Sequence, residues 1–397
     1  MTTRGALILG GGIGGPVAAM ALARAGIQAT VYEAADAPTD HVGLFLNTSS
    51  NGLDVLRTLG VDAAGQAAGF PMPPMVMWSG TGKRLGEVAN GIRLADGTVS
   101  VALRRGLLQR PLRGEAERRG VRFEFGKRLD TYRVGGSGQV IAHFTDGTEV
   151  EGNLLLGADG IHSATRRTMD PAAPRPSYTG LLSVGGYSHS TTIAPTPDTQ
   201  HFVFGRRAFF GYWSETAARS GGSSTSHAPT SRPGRSLPPP PPRSGSGGSW
   251  SCSLMISRAS RRSSRPPTAR SAPTRARPSG HPDLAPRPGR AGRRRRPRHL
   301  PQRRQGASQA MEDALIVAKC LGDIPQVDGA FAAYERLRRE RAEKVVAYSH
   351  RIGRPKTISN PVGVWIRDLV LPFALKRFAN PGRTLGSTPT TSTGTRR

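Results

Sequence analysis

Residues 6–23 read Ala6-Leu7-Ile8-Leu9-Gly10-Gly11-Gly12-Ile13-Gly14-Gly15-Pro16-Val17-Ala18-Ala19-Met20-Ala21-Leu22-Ala23. The apolar run Ala6 to Leu9 predicts a buried parallel strand. It ends in glycines spaced G-x-G-x-x-G at Gly10, Gly12 and Gly15, and an alanine-rich helical pattern follows. Gly10 permits the tight turn, Gly12 lets the main chain approach a pyrophosphate, and Gly15 lets helix and strand pack closely. Ile13 and Gly14 complete the loop, and the helix beyond offers its N–H groups and positive dipole end to phosphates. A second strand, Gln28-Ala29-Thr30-Val31-Tyr32-Glu33, ends in an acid at the offset of about 20 residues expected of a ribose-binding carboxylate. A glycine-rich turn beside a surface glutamate is the competing reading, and it leaves that context unexplained.

A chain of 397 residues has room for two domains and a sizeable core. Two cysteines, Cys252 and Cys320, exclude a disulfide framework and a cysteine zinc site, which fits a reducing cytoplasm. The glycines after Leu9 break up what could pass for the apolar part of a signal peptide, and no apolar run is long enough to span a bilayer. The net charge of +29 is concentrated: residues 214–304 hold twenty Arg, no Lys and two acids (Glu215, Asp283), a balance of +18, which leaves +11 elsewhere.

Further along, residues 52–60 carry a helical pattern, and Arg105 precedes Leu108 and Leu112 at helical spacing. Residues 121–125 and 140–144, the latter followed by the turn Asp146-Gly147, predict strands of a hairpin-rich patch. An apolar strand then ends in Gly157-Ala158-Asp159-Gly160-Ile161-His162-Ser163, with Ser163 placed to start a helix. A carboxylate at a strand end beside glycine suits a ribose hydroxyl; an ordinary turn aspartate is the alternative.

In order and spacing, the fingerprint from Gly10 to Glu33, the Arg105-x-x-Leu108 segment and the Gly157–Ser163 motif resemble the single-component flavoprotein monooxygenases of the aromatic-hydroxylase type, relatives of p-hydroxybenzoate and salicylate hydroxylases. The likeness spans roughly residues 5–212 and 305–378. It implies an α/β fold: a discontinuous Rossmann-like FAD-binding domain (residues 1–175 and 305–385) with a β-sheet substrate domain starting at 176–212. It also implies that Glu33 holds the adenosine ribose, Arg105 approaches the cofactor, and Asp159 holds the ribityl or pyrophosphate region. The helix entered at Gln305-Gly306-Ala307-Ser308 would bring Gly306 and Ala307 against the flavin pyrimidine. By the same resemblance NAD(P)H reduces FAD, O2 adds at the flavin C4a position, and the hydroperoxide hydroxylates or epoxidises an aromatic or polyketide-like small molecule. No residue is nominated as catalytic acid or base. His162 and His201 are read as structural, no metal site is expected, and no oligomeric state is implied.

Residues 213–304 break the pattern. Rich in Arg, Pro, Ser and Gly, the block buries too little to offset its ordering entropy and is expected to be disordered, as is the tail 386–397. Taken as written, Arg293-Arg294-Arg295-Arg296 would bind phosphate, and the rival function is a nucleotide-fold protein whose arginine arm engages nucleic acid. The same composition is what a G+C-rich gene yields out of frame. Regrouped from each third base, the codons of Trp213 to His227 can encode V-G-D-G-G-E-V-W-W-F-V-N-V-P, and those of Ser251 to Ile256 L-F-A-D-D. Regrouped from each second base, Leu284 to Arg304 can encode W-H-R-G-R-A-V-L-V-G-D-A-A-H-A-T-S-P-S-G-G. The G-D-A-A-H and P-x-x-G elements belong, by the resemblance, immediately before Gly306. A few insertions or deletions in the coding sequence are therefore expected, and the chain as written would lack one wall of its FAD site.

Overall fold

The computed structural model describes residues 5–41, 45–67, 69–136, 138–172, 181–188, 192–216, 219–227, 251–255, 274–275, 306–353, 358 and 360–378. Strand β1 (Gly5–Leu9) is the centre of a five-stranded sheet. It pairs in parallel with β2 (Gln28–Tyr32) on one side and β12 (Leu154–Gly157) on the other. Outside them lie β8 (Arg122–Glu124), parallel to β2, and the two-residue β18 (Thr274–Arg275), antiparallel to β12. Ala6 and Ile8 join the main core while Leu7 and Leu9 join a second cluster on the opposite face. Burial on both faces is what an unbroken apolar strand requires.

Helix α1 (Gly14–Arg24) crosses the first face, and Gly15 to Leu22 are buried without interruption. Two partners account for that: α4 (Arg105–Arg118) and α6 (Gly306–Asp323), which arrives from far along the chain. The α6 helix also packs on α2 (Ser50–Thr58) and α7 (Val327–Gly353), with α3 (Asp62–Ala67) between α2 and α4. Inside this helical layer lies a charged cluster. Arg338 pairs with Asp313 at 2.5 Å and Glu312 at 2.7 Å and donates to Gln309 Oε1 at 2.9 Å. Arg341 and Asn51 add bonds to Glu312 Oε1, each 2.7 Å. Burial pushes Glu312 up, but Arg341, Arg338 and Asn51 together hold its carboxyl below the usual range. At Asp313 burial wins over Arg338, and the carboxyl is pushed up.

The second face carries an antiparallel sheet of β9 (Leu129–Val134), β10 (Val140–Phe144) and β11 (Glu149–Gly152), beside α5 (Ala164–Met169). A small sheet, β3 (Phe45–Thr48), β7 (Val101–Arg104) and β4 (Phe70–Pro71), leads toward the largest one. That seven-stranded sheet runs β17 (Ser251–Met255), β13 (Leu181–Ser188), β16 (Arg219–His227), β15 (Ala208–Thr216), β14 (Gln200–Phe204), β5 (Pro74–Ser79), β6 (Arg84–Ala89). Helix α8 (Pro361–Phe378) packs on β6.

One expectation is corrected. Residues 122–124 join the parallel sheet through Tyr32↔Glu124 rather than a hairpin patch, because neighbouring Val121 closes the core beneath α4. Within the block 213–304 the described residues are Trp213–Thr216, Arg219–His227, Ser251–Met255 and Thr274–Arg275, each in a strand. Strand ladders are built from main-chain groups, so Ser, Thr and Gly suffice where neighbouring strands supply the apolar side chains. A Cβ on Gly221 would lie 2.5 Å from the Trp213 indole, and Ser183 and Thr225 bond across the ladder at 3.0 Å. The rest of that block, including Arg293–Arg296, lies outside the described residues, as do Gln305 and the tail 386–397.

Candidate cofactor site

The C-terminal edge of the parallel sheet gathers the residues singled out from sequence. Gly10 follows β1 with φ +107°, a conformation that favours glycine, and a Cβ there would lie 2.5 Å from the Ala158 carbonyl oxygen. This close approach, with Ala158 N–H donating to Leu9 O at 2.7 Å, brings the β12 end and Asp159 beside the glycine loop. Gly15 touches the same turn from the helix side, where a Cβ would overlap the Gly10 carbonyl oxygen. Gly14 begins α1, and a Cβ on it would sit 3.4 Å from the Ala310 methyl. The first turns of α1 and α6 are therefore side by side. No side chain caps α1 and no acid stands in its first turn, which leaves the orphan N–H groups open to an anion.

Glu33 is held by main chain: Gly11 N–H donates to one carboxylate oxygen at 2.6 Å and Ala35 N–H to the other at 2.9 Å. Arg105 starts α4 and reaches over the loop, its Nη2 3.4 Å from where a Cβ on Gly12 would be. Asp159 takes Thr165 N–H and Thr165 Oγ1–H on one oxygen, each at 3.0 Å. Its other oxygen is buried without a partner, so a hydroxyl donor is called for there. Gly306 is exposed at the start of α6 with open space at its Cβ position; Ala307 packs on the core edge. The Ile13 side chain is buried in the core.

Three further residues were not singled out from sequence. Gly11 fixes Glu33, and a Cβ on it would crowd the Glu33 Cβ at 3.1 Å. Gln109, one turn after Arg105, is buried with Nε2 3.4 Å from Gly11 O and its Oε1 unpartnered. Ser308, whose Oγ accepts Ser49 N–H at 3.1 Å, locks α6 onto the start of α2 so tightly that only Gly52 fits opposite. The spacing of Gln109 from Arg105 was visible; the contacts of Gly11 and Ser308 carry no sequence signal.

His162 is exposed in a turn. His201 accepts Trp78 Nε1–H at 2.9 Å and stacks on Tyr212 at 5.1 Å, and burial pushes its pKa down. Among the described residues no group of His, Cys, Asp and Glu could hold a metal.

A glycine cradle, two helix N-termini and an unsatisfied carboxylate oxygen suit a dinucleotide. The sequence model of the FAD binding domain family matches residues 3–231, more than half of the chain. The chain belongs to that family. Its relatives among FAD-dependent monooxygenases include the aurachin C monooxygenase/isomerase of Stigmatella aurantiaca, 30% identical over 383 residues, 92% of this chain and 93% of that protein. The FAD-dependent urate hydroxylase of Klebsiella pneumoniae is 32% identical over 204 residues, and there the chain spans about half of the relative (51%). Among solved structures, Klebsiella pneumoniae HpxO complexed with FAD and uric acid superposes with a TM-score of 0.70 at 20% identity, covering 95% of each chain. That likeness establishes the fold. FAD is the cofactor, and the protein is an oxidoreductase of the FAD-dependent monooxygenase type.

Proposed function

We propose that FAD lies along the β1–α1 edge. Glu33 takes the adenosine ribose, the N–H groups of residues 12–15 the pyrophosphate, and Asp159 with Arg105 the stretch toward the flavin. Gly306 and Ala307 at the α6 N-terminus face the flavin pyrimidine. With NAD(P)H as reductant, the protein inserts one atom of O2 into an aromatic or polyketide-like small molecule on the cytoplasmic side of the cell. The unpartnered Asp159 oxygen beside the Gly10–Ala158 contact carries this reading. When bound, the flavin supplies electron storage and O2 activation, while the protein supplies binding, orientation and electrostatics. The dipole ends of α1 and α6 favour negative charge on phosphate and on the reduced ring.

An aromatic and apolar cluster joins the small sheet to the seven-stranded one, and its Tyr187 edge is where we place a planar substrate. Trp213 stacks on Phe70 at 6.3 Å and meets Tyr187 edge-on at 6.2 Å, with Met72 and Ala102 alongside. The Arg104 guanidinium lies 4.2 Å from the Tyr187 ring centre. The Tyr187 hydroxyl is buried without a partner, and burial pushes its pKa up to about 12, so it stays protonated and able to donate to a substrate oxygen.

The purified protein is expected to be yellow, and to consume NAD(P)H and O2 with formation of a product one oxygen atom heavier when an aromatic substrate is supplied. A colourless protein that takes up no added FAD overturns the reading. Asp159→Ala removes a charge-assisted hydrogen bond of about 1.5–3 kcal/mol, which weakens FAD binding about tenfold or more. Equilibrium dialysis of FAD against the variant checks this.

A second reading is favoured by one observation: the family match ends at residue 231, inside the arginine-rich block, while α6 begins at Gly306 in full register with the core. It holds that the coding sequence carries indels there and that the chain as written retains FAD poorly. Sequencing the codons for Phe204 to Glu312 decides between the readings.

A further inference from the structure

The surface of the described residues exposes ten large apolar side chains, and six of them stand on α8: Val362, Trp365, Ile366, Leu369, Val370 and Phe373. Their spacing at three and four residues gathers them into one stripe about 17 Å long. Phe373 is 71% exposed and Trp365 66%. The other side of α8 is fully engaged. Leu371 packs on the Phe202, Phe204 and Phe209 cluster, and Leu375 comes close enough to β6 that a Cβ on Gly86 would meet it at 3.0 Å. Arg367 donates to Phe204 O at 2.9 Å and to Asp368 at 2.8 Å, and Asp368 accepts Ser79 Oγ–H. The inner face is thus anchored by an ion pair with satisfied partners, while the outer face is apolar and uncovered among the described residues. A helix apolar on both sides calls for a second cover.

The charge around the helix identifies that cover. From residue 345 to 397, apart from the inward-facing Arg367–Asp368 pair, the sequence holds eight basic residues (Arg351, Arg354, Lys356, Lys376, Arg377, Arg383, Arg396, Arg397) and no acid. A second copy would bring the same positive charge against itself. An apolar stripe between basic segments matches anionic lipid headgroups over an acyl layer. No described helix is long and apolar enough to cross a membrane, so the stripe would lie in the surface plane. We propose that α8 docks the protein on an anionic membrane surface, with Trp365 and Phe373 inserted and the flanking basic residues on headgroups.

The full-length protein, loaded with FAD, is tested by co-sedimentation with vesicles of phosphatidylcholine alone and of phosphatidylcholine with phosphatidylglycerol. Binding is expected to the second kind only. It should weaken with salt and fall about tenfold or more in the Trp365→Ser, Phe373→Ser double variant. Circular dichroism and FAD content should be unchanged in that variant, since neither residue touches the core. Failure of the native protein to sediment overturns the proposal. So does binding that survives the double substitution, which would make the arginine-rich block the sole attractor. A concentration-dependent dimer that the double variant dissolves would assign the stripe to a second copy and overturn it too.

Discussion

Gly15→Ala is expected to abolish FAD retention and to destabilise the fold by about 3 kcal/mol or more, the upper end of what overpacking costs. The added methyl would lie 2.0 Å from the Gly10 carbonyl oxygen. Neither side can yield: Gly10 is backed by Ala158, its N–H is bonded to Tyr32 O at 2.8 Å, and α1 is clamped from outside by α6. Any relief must separate helix from strand, which pulls the α1 N–H groups off the phosphate position. Gly5→Ala is the control, since nothing lies within 4 Å of its Cβ position. Urea unfolding and the flavin-to-protein ratio of both variants give the comparison. Native-like values for Gly15→Ala would refute the packing described for the loop.

The second large effect is expected from Arg338→Leu. Arg338 is 6% exposed and faces Glu312 and Asp313, 3% and 4% exposed. Its removal leaves two buried carboxylates with Arg341, bonded to Glu312, as the remaining cation, and costs about 3–5 kcal/mol. The pH dependence has a definite sign. In the native protein Glu312 lies below its ordinary pKa, so its stabilisation holds at neutral pH and fades as pH falls through its folded value. Asp313 lies above, so its burial costs stability as pH rises through its folded value. Without Arg338 both carboxyls move up, and both then favour the acid side. The stability gap between native and variant protein should therefore narrow as pH is lowered from neutral, measured by chemical unfolding. Replacing the acids as well, in Arg338→Leu, Glu312→Gln, Asp313→Asn, should recover much of the loss. A gap that widens in acid would show that the carboxylates do not carry the effect.

Much of the nucleotide-binding half could be read from residues alone because its signals are local. Ala6 to Leu9, the three glycines and Glu33 report strand, turn, helix and second strand within one short stretch. Asp159 was legible for the same reason, as a carboxylate at a strand end beside glycine. What escaped was made by contacts between distant segments. Gly11 matters through Glu33, Gln109 through a main-chain oxygen across the loop, and Ser308 through Gly52. Residues 219–227 escaped for another reason. Side-chain periodicity was the criterion, and a strand of Ser, Thr and Gly has none to show, since its hydrogen bonds belong to the main chain. Ile13 marks the opposite limit: its place in the motif was plain, but nothing in the spacing tells that its side chain turns inward.

The contact of Gly14 with Ala310 bears on how the chain is made. During synthesis α1 leaves the ribosome long before α6 exists to cover it. At about 5–20 residues per second the interval between them is about 15–60 s. Through that time Val17, Ala18, Met20, Ala21 and Leu22 lack part of the cover that keeps them buried in the finished protein. The cofactor's own cradle is open on that side until the last third of the chain arrives. Completion of the FAD cradle is therefore expected late in synthesis, once α6 has been made.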